Sequence, residues 1–299
     1  MHTKSGRSDL NLIFCSFLAI FLLVSCGLTA SQRKALKEFS SATASIGEVT
    51  SAELVRMRNE IIQMNVHRLR ITEVKDMKLP DDKDLDKALD VEDVVERVRA
   101  AEVLQTYGEL LLSLAEDTQQ EELSAAADRF VQNVKGLPGV DRKLTQEQLD
   151  GIGKVVKTVG GLIVEHMKAK AIKLIVRDTS GQVEHLCDLL EADFDHENDR
   201  LAGQFVASTE KLLTASGKAL ERSGTLEERI AAIDALKLGR ANRDRREEVL
   251  DRISQAVVKI KSANAELDGS LNSNKVTVED LKEFSTRVRS LIDALKVLK

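Results

Sequence analysis

Proline is nearly absent from this chain, and that constrains the fold more than any other feature. There are 2 prolines in 299 residues, where average usage of roughly 5% would supply about 15. Proline removes a backbone donor and kinks or breaks helices, so its scarcity leaves long helices unobstructed. Aromatic residues make up 3% of the chain, with 1 Tyr and no Trp. No run of alternating β-branched residues is present. Both observations argue against a sandwich, barrel or propeller. An all-α fold follows. The parallel-sheet pattern or glycine-rich phosphate loop that most cofactor enzymes need is not found, so neither enzymatic activity nor a cofactor is expected.

The N-terminus is informative about location. Lys4 and Arg7 precede an apolar run from Leu12 to Val24 that only Ser16 interrupts. A basic start and a short apolar stretch have the form of a secretory signal, since crossing ~30 Å of hydrocarbon takes about 20 residues. The run ends in Leu23-Val24-Ser25-Cys26. This tetrad resembles the lipobox of bacterial lipoproteins, and the resemblance covers the first 30 residues or so. It implies cleavage before Cys26, diacylglycerol on the Cys26 thiol and an acyl chain such as palmitate on the new amine. Three chains at ~0.8 kcal/mol per buried CH₂ would anchor the protein permanently. Gly27 in place of Asp implies, within the same resemblance, sorting to the bacterial outer membrane. The alternative is an uncleaved membrane anchor, because Leu10 to Ala30 carries no charge.

On the lipoprotein reading the chain divides into a signal peptide (1–25), a short linker (26–30) and a helical domain (31–299). Cys15 leaves with the signal and Cys26 is lipidated, so Cys187 remains alone and no intramolecular disulfide can form. Lys4, Arg7 and Asp9 depart too, which moves the formal net charge from −5 to −6. Nothing in that balance suggests nucleic acid as a partner.

Apolar spacing of three and four predicts the helices. The first runs from Ser31 to about Met77 with Leu36, Phe39, Ile46, Leu54, Met57, Ile61 and Met64 inward and Thr50 as a stutter in the stripe. At 1.5 Å per residue it is a rod of roughly 65 Å, ended by Pro80. A second begins near Val91. Capping boxes at Thr118–Glu121, Thr145–Gln148 and Thr225–Glu228 open three more. The Thr145 helix is expected to reach about Val176, followed by another from Gly181 to Arg222. The Thr225 helix falters across Gly239–Arg246 and then resumes. A last helix from Thr277 carries Leu281, Phe284, Val288, Leu291, Leu295 and Leu298, a coiled-coil seam that packs within the chain or joins a homo-oligomer. The expectation is an elongated bundle of six to eight amphipathic helices, several long, with coiled-coil character. A sub-boundary, if there is one, falls at 136–144, where Gly and Pro cluster.

Chemistry-bearing motifs are few. Of the histidines beyond the signal, His67, His166, His185 and His196, none sits in a zinc signature. His185, Cys187 and Asp188 with Asp193, Asp195, His196 and Glu197 form the densest cluster. It reads as a core cysteine beside a solvated acidic face, with a metal as the alternative. Asp150–Lys154 resembles a phosphate loop but has Val155 where Ser or Thr would hold Mg²⁺. Gly153, Gly160 and Gly161 each cost a helix about 1 kcal/mol. They read as close helix packing, or as a membrane-inserting segment resembling those of helical pore-forming toxins. Arg240, Arg243, Arg245 and Arg246 read as a solvated face, with lipopolysaccharide phosphates or an acidic partner as the alternative.

The stretch after Pro80 resembles an EF-hand loop, with carboxylates at Asp82, Asp84, Asp86, Asp90 and Asp93. Lys87 stands in place of the turn glycine, and acids at a helix start give the same residues by complementing the helix dipole. A weak calcium site and a plain helix start are both open at this stage. The functional expectation is a lipid-anchored structural or interaction protein of the bacterial envelope, facing the periplasm or the surface, with an envelope protein as partner. The alternative is a helical membrane-active, pore-forming-like protein.

Overall fold

A computed structural model of the chain describes residues 28–72, 85, 89–116, 118–160, 165–272, 286 and 289. Its elements are α1 (Ala30–Ile71), α2 (Val91–Ala115), α3 (Gln120–Lys135), α4 (Gln146–Gly160), α5 (Glu165–Phe194), α6 (Leu201–Arg222), α7 (Leu226–Arg245), a π-helical turn (Arg246–Leu250) and α8 (Asp251–Asn272). No strand occurs among the described residues, and the fold is an all-α bundle.

The apolar stripe read from the sequence is the core of α1. Leu36, Phe39, Ile46, Leu54, Met57, Ile61 and Met64 are each at most 1% exposed, and each such side chain contributes roughly 1.5–3 kcal/mol on burial. Thr50, the stutter, is fully buried and its hydroxyl has no hydrogen-bond partner. The helix starts one residue earlier than expected, at Ala30. Thr29, not Ser31, is the N-cap, and it forms a capping box with Gln32. It also ends earlier, at Ile71, where Thr72 turns extended and its N–H bonds back to the Arg68 carbonyl.

α1 and α2 pack antiparallel with their backbones nearly touching. A Cβ built on Gly47 would lie 2.5 Å from the Gln105 nitrogen and 2.6 Å from the Ala101 oxygen. A Cβ on Gly108 would lie 2.5 Å from both the Ala44 nitrogen and the Ser40 oxygen. The two glycines therefore notch each helix where the other crosses. Above this crossing the single tyrosine, Tyr107, is buried against Phe130 and donates to Asn264 Oδ1 at 2.6 Å, tying α2 to α8.

Three boundaries differ from the expectation. Thr118 does not cap α3; its hydroxyl bonds the Ser113 carbonyl and Gln119 takes the cap position without a side-chain bond. Nothing interrupts the chain between Val176 and Gly181, because α5 runs straight through it. Thr179 is buried in register with Ile172, Ile175 and Val183, and its hydroxyl bonds back to the Ile175 carbonyl at 2.7 Å. The break instead comes at residues 195–200. There Asp195 accepts from the Glu197 backbone N–H and the Asn198 amide, and the turn crowds Gly203, where a Cβ would sit 1.8 Å from the Asn198 oxygen. The Thr145 and Thr225 capping boxes form as read.

The Gly-Pro turn at 136–144 is stitched to α5. The Gln182 side chain donates to the Asp141 carbonyl at 2.8 Å and accepts from the Lys143 N–H at 2.6 Å. Leu137 and Leu144 join the same apolar cluster as the residues before and after them.

Candidate functional site

Two places gather polar chemistry. The first is the end of the bundle where the described chain begins. Leu28 packs against the core and lines a shallow cleft with Arg33 of α1, Leu114 and Ala115 of α2, and Lys168, Ala169 and Ile172 of α5. Leu114 and Ile172 are buried at its floor, while Arg33 and Lys168 are half-buried at its rim. The order follows from the sequence. Thr29 must cap α1, so Leu28 precedes the helix as an apolar residue with a buried site to fill. Cys26 lies just outside the described residues.

The second is a belt of ion pairs where α5 ends, α6 begins, and α7 gives way to α8. Arg245 donates to Glu53 of α1 through Nε, at 2.8 Å to Oε1, and through Nη2 to Oε2. Glu53 is 5% exposed, so this two-pronged contact is largely out of water. Arg97 of α2 donates to Asp193 at the end of α5 at 2.7 Å, and Arg200 approaches the same carboxylate at 3.6 Å. Burial lifts the Asp193 carboxyl above its usual range, and Arg97 and Arg200 offset this only in part. His196 and Asp251 hydrogen-bond at 3.0 Å, joining the 195–200 turn to the start of α8.

The π-helical turn belongs to this belt. It inserts one extra residue between α7 and α8. As a result Arg245 faces α1, while Leu250, Ile253, Val257 and Ile260 return to the core. The pattern falters over Gly239–Arg246 because the inward positions at the end of α7 are held by Gly239 and Asn242, and the register shift follows it at Arg246–Leu250. The arginine cluster is thereby divided. Arg245 points inward, whereas Arg243 and Arg246 border a narrow slot with Val206, Thr209, Glu210 and Asn242. Asn242 is 2% exposed and its Nδ2 has no hydrogen-bond partner.

The remaining candidate residues do not converge. Cys187 is fully buried, and burial pushes its thiol far above the ordinary range, which makes it a core residue. His185 bonds Asp141, Asp188 bonds Lys261, Asp193 holds Arg97 and His196 holds Asp251. Each group thus has a different partner. No cluster of three potential metal ligands occurs among the described residues. In the acidic stretch, Asp82, Asp84 and Asp86 lie outside the described residues. Asp90 is the N-cap of α2, accepting from the Glu92 N–H at 2.8 Å, and Asp93 sits in its first turn. The seam at 281–298 also falls outside them, apart from Thr286 and Arg289.

Asp150–Lys154 is an interior stretch of α4, not a loop. The expectation of close packing fails at Gly153, where a Cβ would meet nothing within 4 Å. Gly153→Ala is therefore expected to raise stability by about 1 kcal/mol through helix propensity alone. Urea denaturation would show this as a higher midpoint, and a loss would mean that something presses on that face. No helix among the described residues is long and apolar enough to cross a membrane. Compared with known proteins, the chain has no match, whether to a family model, a curated sequence or a solved structure.

Proposed function

We propose that this chain is a lipid-anchored structural or interaction protein of the bacterial envelope, held at the outer membrane through Cys26 and presenting helical faces to an envelope protein. The observation that carries this reading is the apolar run closed by Leu23-Val24-Ser25-Cys26. Packing of the chain from Leu28 onward supports it, because almost no free tether then separates the anchor from the bundle. The buried ion pairs suit a scaffold, since they join helices α1 to α7 and α2 to α5. The unbroken three–four apolar spacing from Leu281 to Leu298 is a sequence pattern suited to self-association or to packing within the chain.

The test is metabolic labelling of the expressed protein with a clickable palmitate analogue. Wild type is expected to carry label and to run at the mass of a chain beginning at Cys26. Cys26→Ser is expected to lose the label entirely and to retain residues 1–25. An unlabelled wild-type protein would overturn the proposal.

A further inference from the structure

We propose that the outer face of α7 around Leu226, Ile230 and Ile233 docks against the same face of a second copy of this chain, with the two helices parallel. The argument starts from helix periodicity. α7 turns Ala232, Ala235, Gly239 and Asn242 inward, and all four are buried. Leu226, Ile230 and Ile233 are spaced four and three apart on the opposite side of the helix. Leu226 is 73% exposed and Ile230 51%, while Ile233 is half-buried. The side of a surface helix that faces away from the core is normally polar. A three–four apolar spacing on that side is the start of a helix–helix seam, and nothing among the described residues covers it.

The charges beside the seam select the occupant. With Ile230 at a and Leu226 and Ile233 at d of a heptad, Arg229 falls at g, and Glu227 and Asp234 fall at e. Arg229 is exposed, and no ion pair among the described residues engages it. Asp234 meets Lys237 at 4.0 Å, with both side chains more than half in solvent. In a parallel pair each g side chain meets the e side chain five positions on in the other helix. Arg229 of each copy therefore meets Asp234 of the other, and two-fold symmetry makes the contact twice. An antiparallel pair sets e against e, which brings Glu227 onto Asp234 with like charge. The face is thus complementary to itself in one direction only. That direction leaves both Leu28 ends on the same side, which suits two chains held in one leaflet but does not depend on the anchor. The seam stops at Lys237, which takes the next a position. Three turns bury far less than the roughly 800 Å² per partner of a lasting complex, so the pair forms at high local concentration, as copies held on one surface reach.

The experiment traps the pair through a thiol in the seam. A chain beginning at Gly27 keeps every residue of the described core, which spans Ala35 to Leu267, and lacks Cys15 and Cys26. Its one native thiol, Cys187, is fully buried. Ile230→Cys therefore supplies the single reactive thiol, at a position where facing residues of a parallel pair come within disulfide reach. Concentrated protein is oxidised mildly, and the linked dimer is measured by non-reducing electrophoresis. The direction of pairing is read separately, by mixing Arg229→Cys chains with Asp234→Cys chains and adding a short bismaleimide.

Ile230→Cys is expected to give a linked dimer, and adding Leu226→Glu should abolish it. Leu226 is mostly in solvent, so that change should leave the circular dichroism spectrum as it was. Arg229→Asp should lower the dimer yield about tenfold by opposing two acids at each contact. Adding Asp234→Arg to it should restore the yield, because the pair is then made with its charges exchanged. The mixture of Arg229→Cys and Asp234→Cys chains should crosslink well above either chain alone. A monomeric Ile230→Cys chain, a dimer that survives Leu226→Glu, a charge exchange that restores nothing, or a mixture no better than its components would overturn the proposal. No lipid is present, so the outcome does not depend on whether cells acylate Cys26, which the palmitate labelling decides separately.

Discussion

Gly47→Ala is expected to destabilise the bundle by about 3 kcal/mol, the upper end of what overpacking usually costs. Alanine is the better helix former by about 1 kcal/mol, so the sign of this change is a direct test of the α1–α2 crossing. The added methyl would meet the Gln105 nitrogen and the Ala101 oxygen at 2.5 and 2.6 Å. Both are backbone atoms and cannot rotate away. The helices must separate, which opens gaps beside Ser40 and Thr43, both fully buried. Gly108→Ala should behave alike, since its methyl would strike Ala44 and Ser40. The double variant should lose less than the sum, because either methyl alone already pushes the same two helices apart. Urea denaturation followed by circular dichroism measures all three. A change within 0.5 kcal/mol at Gly47 would mean that the helices do not cross where described. The opposite sign at Gly153 is the internal control.

This contrast marks what the sequence could and could not reveal. A three–four apolar rhythm depends only on the chain's own periodicity, so the buried faces of α1 and α8 were legible from Leu36 to Met64 and from Ile253 to Leu267. A glycine's purpose depends on what lies opposite, which one sequence does not display. Gly153 stood out beside other glycines yet faces open space, while the unremarkable Gly47 and Gly108 mark the closest backbone approach of two helices at any glycine among the described residues.

Helix ends show the same division. The Thr145 and Thr225 boxes are local patterns and formed as read. Thr118 offered the same local pattern but bonded the preceding helix end, because α2 stops close enough to accept its hydroxyl. Gly181 lowers helix propensity but did not break α5, since Thr179, Gln182 and Val183 keep the buried face continuous across it. Among the candidate site residues, the inward role of Arg245 was hidden for a related reason. Its partner Glu53 lies nearly two hundred positions away and sits on a helix stripe otherwise read as apolar.

Arg97→Met is expected to cost about 3 kcal/mol at neutral pH, and most of that loss should vanish as the pH falls toward 4. Methionine keeps the aliphatic stem that Arg97 packs but removes the charge held 2.7 Å from Asp193. Asp193 has a side-chain exposure of 3%, so it cannot recover hydration in place. Removing one member of a buried pair costs about 3–5 kcal/mol. The lower figure applies here because Arg200 remains at 3.6 Å. The pH dependence follows from the direction of the carboxyl's shift. Burial already raises Asp193 above its usual range, and losing Arg97 raises it further. Above about pH 4 the unfolded chain gives up this proton before the folded chain does. Rising pH therefore favours the unfolded state of the variant, until the folded carboxyl ionises as well. Below about pH 4 both states hold the proton, and only lost packing, about 1 kcal/mol, separates the variant from wild type. Paired urea titrations between pH 4 and 8 should show the gap opening steadily. Adding Asp193→Asn to Arg97→Met should make the gap small and flat, because no buried carboxylate is left to ionise. A gap in the single variant that stays constant with pH would mean that Asp193 is hydrated, and that the α2–α5 contact is not the dry ion pair described above.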